Sequence, residues 1–189
     1  MRRVAVALLH HPVLDRGGEI VTTAITNLDL HDIARSAHTF ALERFYVAHP
    51  IAAQRELAQR VREHWVNGSG RRRIPDRAPP MRGLVIVDSL DAAKWDFGGE
   101  GVAELWATSA SAGEGALDHE RAAARLGEPG PPVLLLFGTG WGLAPEVVAR
   151  SDQRLAPIAS PRPDGYNHLS VRAAAAILFD RLLNRAPTQ

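Results

Sequence analysis

Residues 133–143 read "VLLLFGTGWGL": five consecutive apolar residues, Val133 to Phe137, run into glycines at 138, 140 and 142, with Trp141 between the last two. An unbroken apolar run bounded by glycine is the pattern of a strand buried on both faces, as strands of a parallel sheet are. Glycine at a strand end lets a backbone or a ligand come close. Gly138, Gly140 and Gly142 therefore mark either a tight strand-to-helix turn or a set of N–H groups facing a bound molecule.

The chain on either side alternates between strand and helix signals. "RVAVALL" (Arg3 to Leu9) is strand-like, and the Asp-Arg-Gly-Gly that follows is turn chemistry between two extended pieces. From Asn27 the apolar period changes to that of a helix, with Asn27 or Asp29 as its N-cap. "RFYVAH" reads as a strand, and Pro50 to Trp65 as an amphipathic helix entered through proline. Val66 to Gly83 is rich in glycine, proline and arginine without an apolar period, which predicts a loop. Leu84 to Ser89 and Val102 to Ala110 read as strands with a short helix from Leu90 between them, and "ALDHERAAARL" is a polar helix. After the opening strand come a short helix around "APEVVARS", an extended "RLAPI", a proline-rich loop and a last helix from about Leu169 to Leu183. This order predicts an α/β fold, a mostly parallel central sheet flanked by helices, in a single domain over 1–189.

Composition excludes several functions. The 189 residues carry a net charge of +1, so a nucleic-acid partner has to be argued from local patches such as Arg71 to Arg73. With no cysteine there is no disulfide, thiolate metal site or cysteine nucleophile, and a reducing, cytoplasmic setting fits. The first apolar run is too short to span a bilayer and no A-x-A-like cleavage site follows it, so no membrane association is expected. His10, His11, His31 and His38 show no paired ligand spacing with carboxylates, and no metal is expected.

In such a sheet ligands bind beyond the carboxyl ends of the strands. The segments placed there are Ala107 to Ser111, Phe137 to Glu146 and Pro157 to Val171. A dinucleotide fingerprint would be G-x-G-x-x-G early in a βαβ unit; here the spacing is G-x-G-x-G, near the C-terminus. The phosphate-cradling G-x-x-x-x-G-K-[ST] is absent, so nicotinamide and nucleoside triphosphate readings are weak.

Three segments together, "TNLDLHDIARSAHTF" (26–40), "LLLFGTGWGLAPE" (134–146) and "YNHLSVRAAAAILFDRLL" (166–183), resemble the three motifs of the SPOUT superfamily of S-adenosylmethionine-dependent RNA methyltransferases. Nearly the whole chain is similar to a compact bacterial group of stand-alone SPOUT domains related to the tRNA guanine-N1 methyltransferase. The resemblance implies a C-terminal deep trefoil knot over about 104–185, S-adenosylmethionine as cofactor with S-adenosylhomocysteine as product, an RNA substrate (tRNA or rRNA), and a homodimer whose pockets are completed at the subunit interface.

It also implies a cofactor site built from Thr108 and Ser109; from Phe137, Gly138, Gly140, Trp141, Gly142 and Leu143; and from Ile158, His168, Leu169 and Ser170. Trp141 walls the pocket, meets a partner subunit or packs in the core. Arg35 aligns with an arginine that relatives place near the reacting methyl group and the RNA; as an ordinary helical arginine it would pair with Asp32 or Asp29. Ribose-methylating relatives carry asparagine where this chain has Asp29, asparagine and glutamate where it has Thr139 and Gly140, and asparagine where it has His168. His168 is the first candidate for a general base, since imidazole is the side chain that exchanges protons near neutral pH, and Asp164 the second. Arg35, Arg71, Arg72, Arg73 and Arg162 are the candidate RNA contacts. The departures from the motifs leave a second reading open, a knot protein that binds S-adenosylmethionine or RNA as an assembly factor without methyl transfer.

Overall fold

The computed structural model describes residues 1–99, 102–111, 113 and 115–184. A six-stranded parallel sheet has the order β5-β4-β1-β7-β6-β8, built from β1 (Val4–Leu9), β4 (Phe45–Ala48), β5 (Leu84–Val87), β6 (Glu104–Ala107), β7 (Val133–Gly138) and β8 (Gln153–Arg154). β1 and β7 pair in register from Val4↔Val133 to Leu9↔Gly138. Every residue of β1, and all of β7 but Gly138, is buried, as the unbroken apolar runs require. β2 (Val13–Leu14) and β3 (Ile20–Val21) form a separate antiparallel hairpin around the Asp-Arg-Gly-Gly turn.

The helices divide unequally between the faces. On one side α1 (Asn27–Thr39), α2 (Ala52–Val66), α4 (Ala78–Arg82), α6 (His119–Gly127) and α8 (Val171–Leu183) bury Val6, Leu8, Phe45, Trp106, Leu135 and Phe137. On the other, α5 (Leu90–Gly98), α7 (Pro145–Ala149) and the hairpin cover Leu9, Tyr46, Leu105, Leu134 and Leu136. No helix among the described residues is long and apolar enough to cross a membrane.

Three sequence expectations are corrected. The N-cap of α1 is Thr26, one residue before the helix begins; its hydroxyl accepts from the Asp29 N–H at 3.2 Å and donates to Asp29 Oδ2 at 2.6 Å. Val66 to Gly83 is not a loop but α3 (Ser69–Arg73), a 3-10 turn (Pro75–Arg77) and α4. Each piece is about one turn long, too short for a period to register, and they fold by burying Gly70, Ala78, Pro80 and Met81 while the arginines of α3 stay outside. The strand expected over Val102 to Ala110 is shorter, Glu104–Ala107, which frees Thr108 onward as loop. The span expected for the knot, 104–185, includes positions 112, 114 and 185 outside the described residues.

The glycine-rich exit of β7 is laced to the N-terminal hairpin. The Trp141 N–H donates to the Leu14 carbonyl at 2.8 Å, the Leu14 N–H to Gly142 at 2.9 Å, and the Ala144 N–H to Pro12 at 3.2 Å. Gly140 sits at φ +61°, where a Cβ would lie 2.7 Å from the Leu14 carbonyl oxygen; Gly142, at φ +110°, has open space in that direction. Strain at positive φ is common to both, but only Gly140 also meets backbone. Gly140→Ala should therefore cost about 3 kcal/mol and Gly142→Ala about 1 kcal/mol in urea unfolding; equal losses would show that the hairpin contact does not matter.

Candidate functional site

The three loops expected to hold a ligand leave neighbouring strands. β7, β6 and β8 lie side by side, and the chain beyond each emerges at the same edge of the sheet. Thr108 donates its N–H and its hydroxyl to the Leu136 carbonyl, at 3.0 and 2.8 Å, which fixes it beside Phe137. Ser109 is exposed, with its hydroxyl 3.1 Å from that of Ser111. Ile158 packs against the main core and its carbonyl accepts from Asn167 Nδ2 at 2.8 Å, which closes the third loop on itself.

The second and third motifs meet through aromatic rings. Trp141 lies edge-on to His168 at 5.5 Å between centroids, and His168 to Tyr166 at 5.2 Å. Trp141 is 55% exposed, so core packing is not its role. Phe137 and Leu143 are buried, Leu169 and Ser170 are exposed, and Ser170 caps α8 by accepting from the Ala173 N–H at 3.3 Å. Among the described residues the N–H groups of Ser109, Gly140, Ile158 and Leu169 donate to no protein acceptor. Open backbone donors beside buried apolar side chains fit the edge and faces of an adenine ring.

The first motif joins the third through charge. Arg172, on the first turn of α8, reaches Asp29 Oδ1 at 3.2 Å and Asp32 Oδ2 at 3.5 Å on α1. Asp29 is buried, and its second oxygen accepts from Thr26. The partners that an ordinary helical Arg35 would have used are thus taken. Arg35 is exposed and makes no ion pair or side-chain hydrogen bond among the described residues. It opens onto a groove of about 470 Å³ between α1 and α8, lined also by Ser36, Phe40, Ser170, Arg172 and Ala176. Arg172 escaped the sequence reading; the signal available was two carboxylates nearly one turn apart on α1, with no arginine or lysine between them.

In the third loop Arg162 Nε donates to Asp164 Oδ1 at 2.9 Å, and the Tyr166 N–H to the same oxygen at 3.1 Å. These bonds, the guanidinium first, hold the Asp164 carboxyl below the usual carboxylate range. Arg71, Arg72 and Arg73 are not brought to these loops. They stand exposed on α3, which packs on α2 toward the β5 edge. Among the described residues no group of three His, Asp or Glu is placed to hold a metal ion.

A family profile described as SAM-dependent RNA methyltransferase matches residues 3–184. The chain belongs to this family. A tRNA (guanine-N(1)-)-methyltransferase from Nitratidesulfovibrio vulgaris is 44% identical over 182 residues, 96% of this chain and 42% of the relative. The chain thus spans less than half the length of that curated relative, whereas a protein from Aquifex aeolicus, 34% identical, is matched over 96% of this chain and 89% of its own length. Among solved structures, a putative methylase family protein from Neisseria gonorrhoeae shares the fold at a TM-score of 0.64 and 17% identity, over 100% of this chain and 84% of that one. The SpoU methyltransferase AviRb from Streptomyces viridochromogenes, in complex with AdoMet, aligns at 0.55 and 16% identity, over 95% and 56%. These likenesses confirm the SPOUT-type α/β fold that the motifs imply.

One polar cluster of this methyltransferase-family chain had no signature in the sequence. At the carboxyl ends of β1, β4 and β7, the fully buried His10 ring is stacked on His49, 5.3 Å between centroids. His10 Nδ1 lies 3.1 Å from Thr23 Oγ1, which is 2.5 Å from Thr139 Oγ1, which donates to the Leu9 carbonyl at 3.2 Å. The two hydroxyls thus link the Leu9 carbonyl to the His10 ring. Its Nε2 is buried without a partner. A hydroxyl at 139 thereby anchors the glycine loop from below.

Burial, reinforced by the neighbouring His49, pushes the His10 pKa down from 6.5 to about 4. The folded protein thus refuses a proton that the unfolded chain accepts. The resulting loss of stability begins as pH falls through about 6.5, grows until about 4, and is absent above that window. Unfolding free energy should drop by up to about 3 kcal/mol across it, and His10→Gln should flatten the profile in denaturant titrations at several pH values.

Proposed function

We propose that this chain transfers a methyl group from S-adenosylmethionine to a base or ribose of RNA, with tRNA the first class to test. The convergence of three loops with open backbone donors, next to an arginine left free by the Asp29–Arg172–Asp32 pairing, carries the reading. Family membership supports the cofactor and RNA as substrate; the tRNA assignment follows the name of the relative from Nitratidesulfovibrio vulgaris.

Bound S-adenosylmethionine would supply an electrophilic methyl on a sulfonium centre. Thr108, Ser109, Phe137 to Leu143, Ile158 and His168 to Ser170 hold the adenosyl part, through main-chain groups and apolar walls. Arg35 orients an RNA phosphate toward the α1–α8 groove, as a guanidinium fork does well. His168, exposed and edge-on to Trp141, takes the proton from the attacking atom; Asp164, held ionised by Arg162, is the weaker acceptor. Positioning supplies most of the acceleration in such an in-line displacement. The reading includes a cytoplasmic homodimer, a threaded C-terminal crossover and one domain over the chain.

Labelled S-adenosylmethionine incubated with total bacterial RNA should yield RNA-bound label. Cofactor binding without incorporation would instead leave a binding or assembly factor. Arg35→Ala should reduce kcat/KM for RNA by about 100-fold while S-adenosylhomocysteine affinity by calorimetry stays unchanged. A parallel loss of cofactor affinity would place Arg35 in the cofactor site. Sedimentation at micromolar concentration should give a dimer.

A further inference from the structure

We infer that the edge of the sheet opposite the methyl-transfer loops carries a second, phosphate-binding groove that holds the backbone of the RNA away from the reacting nucleotide. This rests on the reading of the chain as an RNA methyltransferase. A groove of about 430 Å³ runs beside β5, lined by Arg44, Gln59, Arg62, Arg82, Leu84 and Ile86. It takes one arginine from the entrance of β4, one from α2 and one from α4, so three separate elements converge on it.

The charge there is open. Arg82 is exposed and makes no ion pair or side-chain hydrogen bond among the described residues. Arg44 is exposed and donates to the Glu43 carbonyl at 3.1 Å, which leaves its charge unneutralised. Glu43 itself is bound by Arg3. Arg62 donates to the Leu84 carbonyl at 3.0 Å and pairs with Glu63 at 3.1 Å; Glu63 does not line the groove and also accepts from Gln59 and Asn67.

The wider distribution of charge points the same way. Between Ala52 and Gly83 the chain carries eight arginines against Glu56, Glu63 and Asp76, whereas the whole chain balances at +1. The excess is concentrated on the α2–α4 layer, where Arg71, Arg72 and Arg73 also stand exposed and unpaired among the described residues. Arginines along a free strand edge also discourage strand addition by another chain, and that alone would explain one or two of them. A convergent trio in an arginine-rich layer exceeds that need and suits a polyanion.

Among the described residues β5 pairs only with β4, and the Phe45 and His49 N–H groups reach the Gly83 and Val87 carbonyls. By strand alternation Leu84 and Ile86 turn their backbone groups to the groove, and the Leu84 carbonyl does accept Arg62 there. Three strand spacings separate β5 from β7, about 14 Å at the usual interstrand distance. An occupant of both sites must therefore be a polymer several nucleotides long, which a folded RNA is and a free nucleotide is not.

The test measures binding of unfractionated tRNA by the full chain across a salt series, with S-adenosylhomocysteine calorimetry and thermal melting as controls. Each of Arg44→Gln and Arg82→Gln should lower the slope of log affinity against log salt by about one, and the double variant by about two. Arg44→Lys and Arg82→Lys should restore it, since the charge and not the fork carries this contact. Unchanged slope and affinity in the double variant, with melting and cofactor binding intact, would overturn the groove. Preferential binding of an acidic polypeptide over tRNA would overturn it too. Failure of the wild-type chain to bind cofactor would instead strike at the methyltransferase reading and leave the salt measurement standing.

Discussion

Pairing of β1 with β7 is the constraint on which the rest of the molecule depends. The two strands lie about 130 residues apart in sequence, yet run in register over six pairs with nearly every side chain buried. Such a contact must offset the entropy of a long closed loop, so its stabilisation comes from apolar burial on both faces of the sheet. Once made, it sets the N-terminal hairpin against the exit of β7. The glycine loop then takes its shape from hydrogen bonds to Leu14, Leu9 and Pro12, as well as from its own sequence. The buried His10–Thr23–Thr139 relay depends on the same pairing, because its members come from both sides of it.

A second layer of organisation is electrostatic. Arg172 binds the two carboxylates of α1, which joins the start of α8 to the start of α1 and leaves Arg35 as the open cation of the groove between them. The position where ribose-methylating relatives carry asparagine is held by Asp29, and the structure gives that departure a physical account. A carboxylate there is tolerated because Thr26 and Arg172 satisfy both of its oxygens. At the far edge of the sheet the balance is reversed, with three arginines and no carboxylate among the described residues that line the groove. The chain therefore combines near-neutral total charge with strong local asymmetry.

Periodicity located most elements, because buried strands and amphipathic helices longer than two turns leave a repeated signature. It failed between Val66 and Gly83, where one-turn helices are held by Gly70 under the Trp65 ring and by the buried Met81. It also placed the cap of α1 one to three residues late, since Thr26, Asn27 and Asp29 are all competent capping residues and only the helix start decides among them. The glycine-rich loop and its two neighbours were legible as a resemblance carried by three motifs. His10, His49, Thr23 and Arg172 were not, because each acts through a partner brought near by the fold.

By itself the sequence determined the α/β class, the buried central strands, the glycine-rich loop at their carboxyl end and membership of the SAM-dependent RNA methyltransferase family. All of these are local patterns or ordered motifs that need no knowledge of distant contacts. The tertiary structure alone decided which charges are spent and which remain available: Arg172 is bound by Asp29 and Asp32, while Arg35 and Arg82 are free among the described residues. It also decided that Trp141 stands at the surface against His168 and that the arginine-rich stretch lies at the β5 edge, away from the loops that follow β6, β7 and β8. The reason is physical. Charge pairing and exposure are set by through-space neighbours, and residues as far apart as Asp29 and Arg172 become neighbours only when the sheet has closed between them.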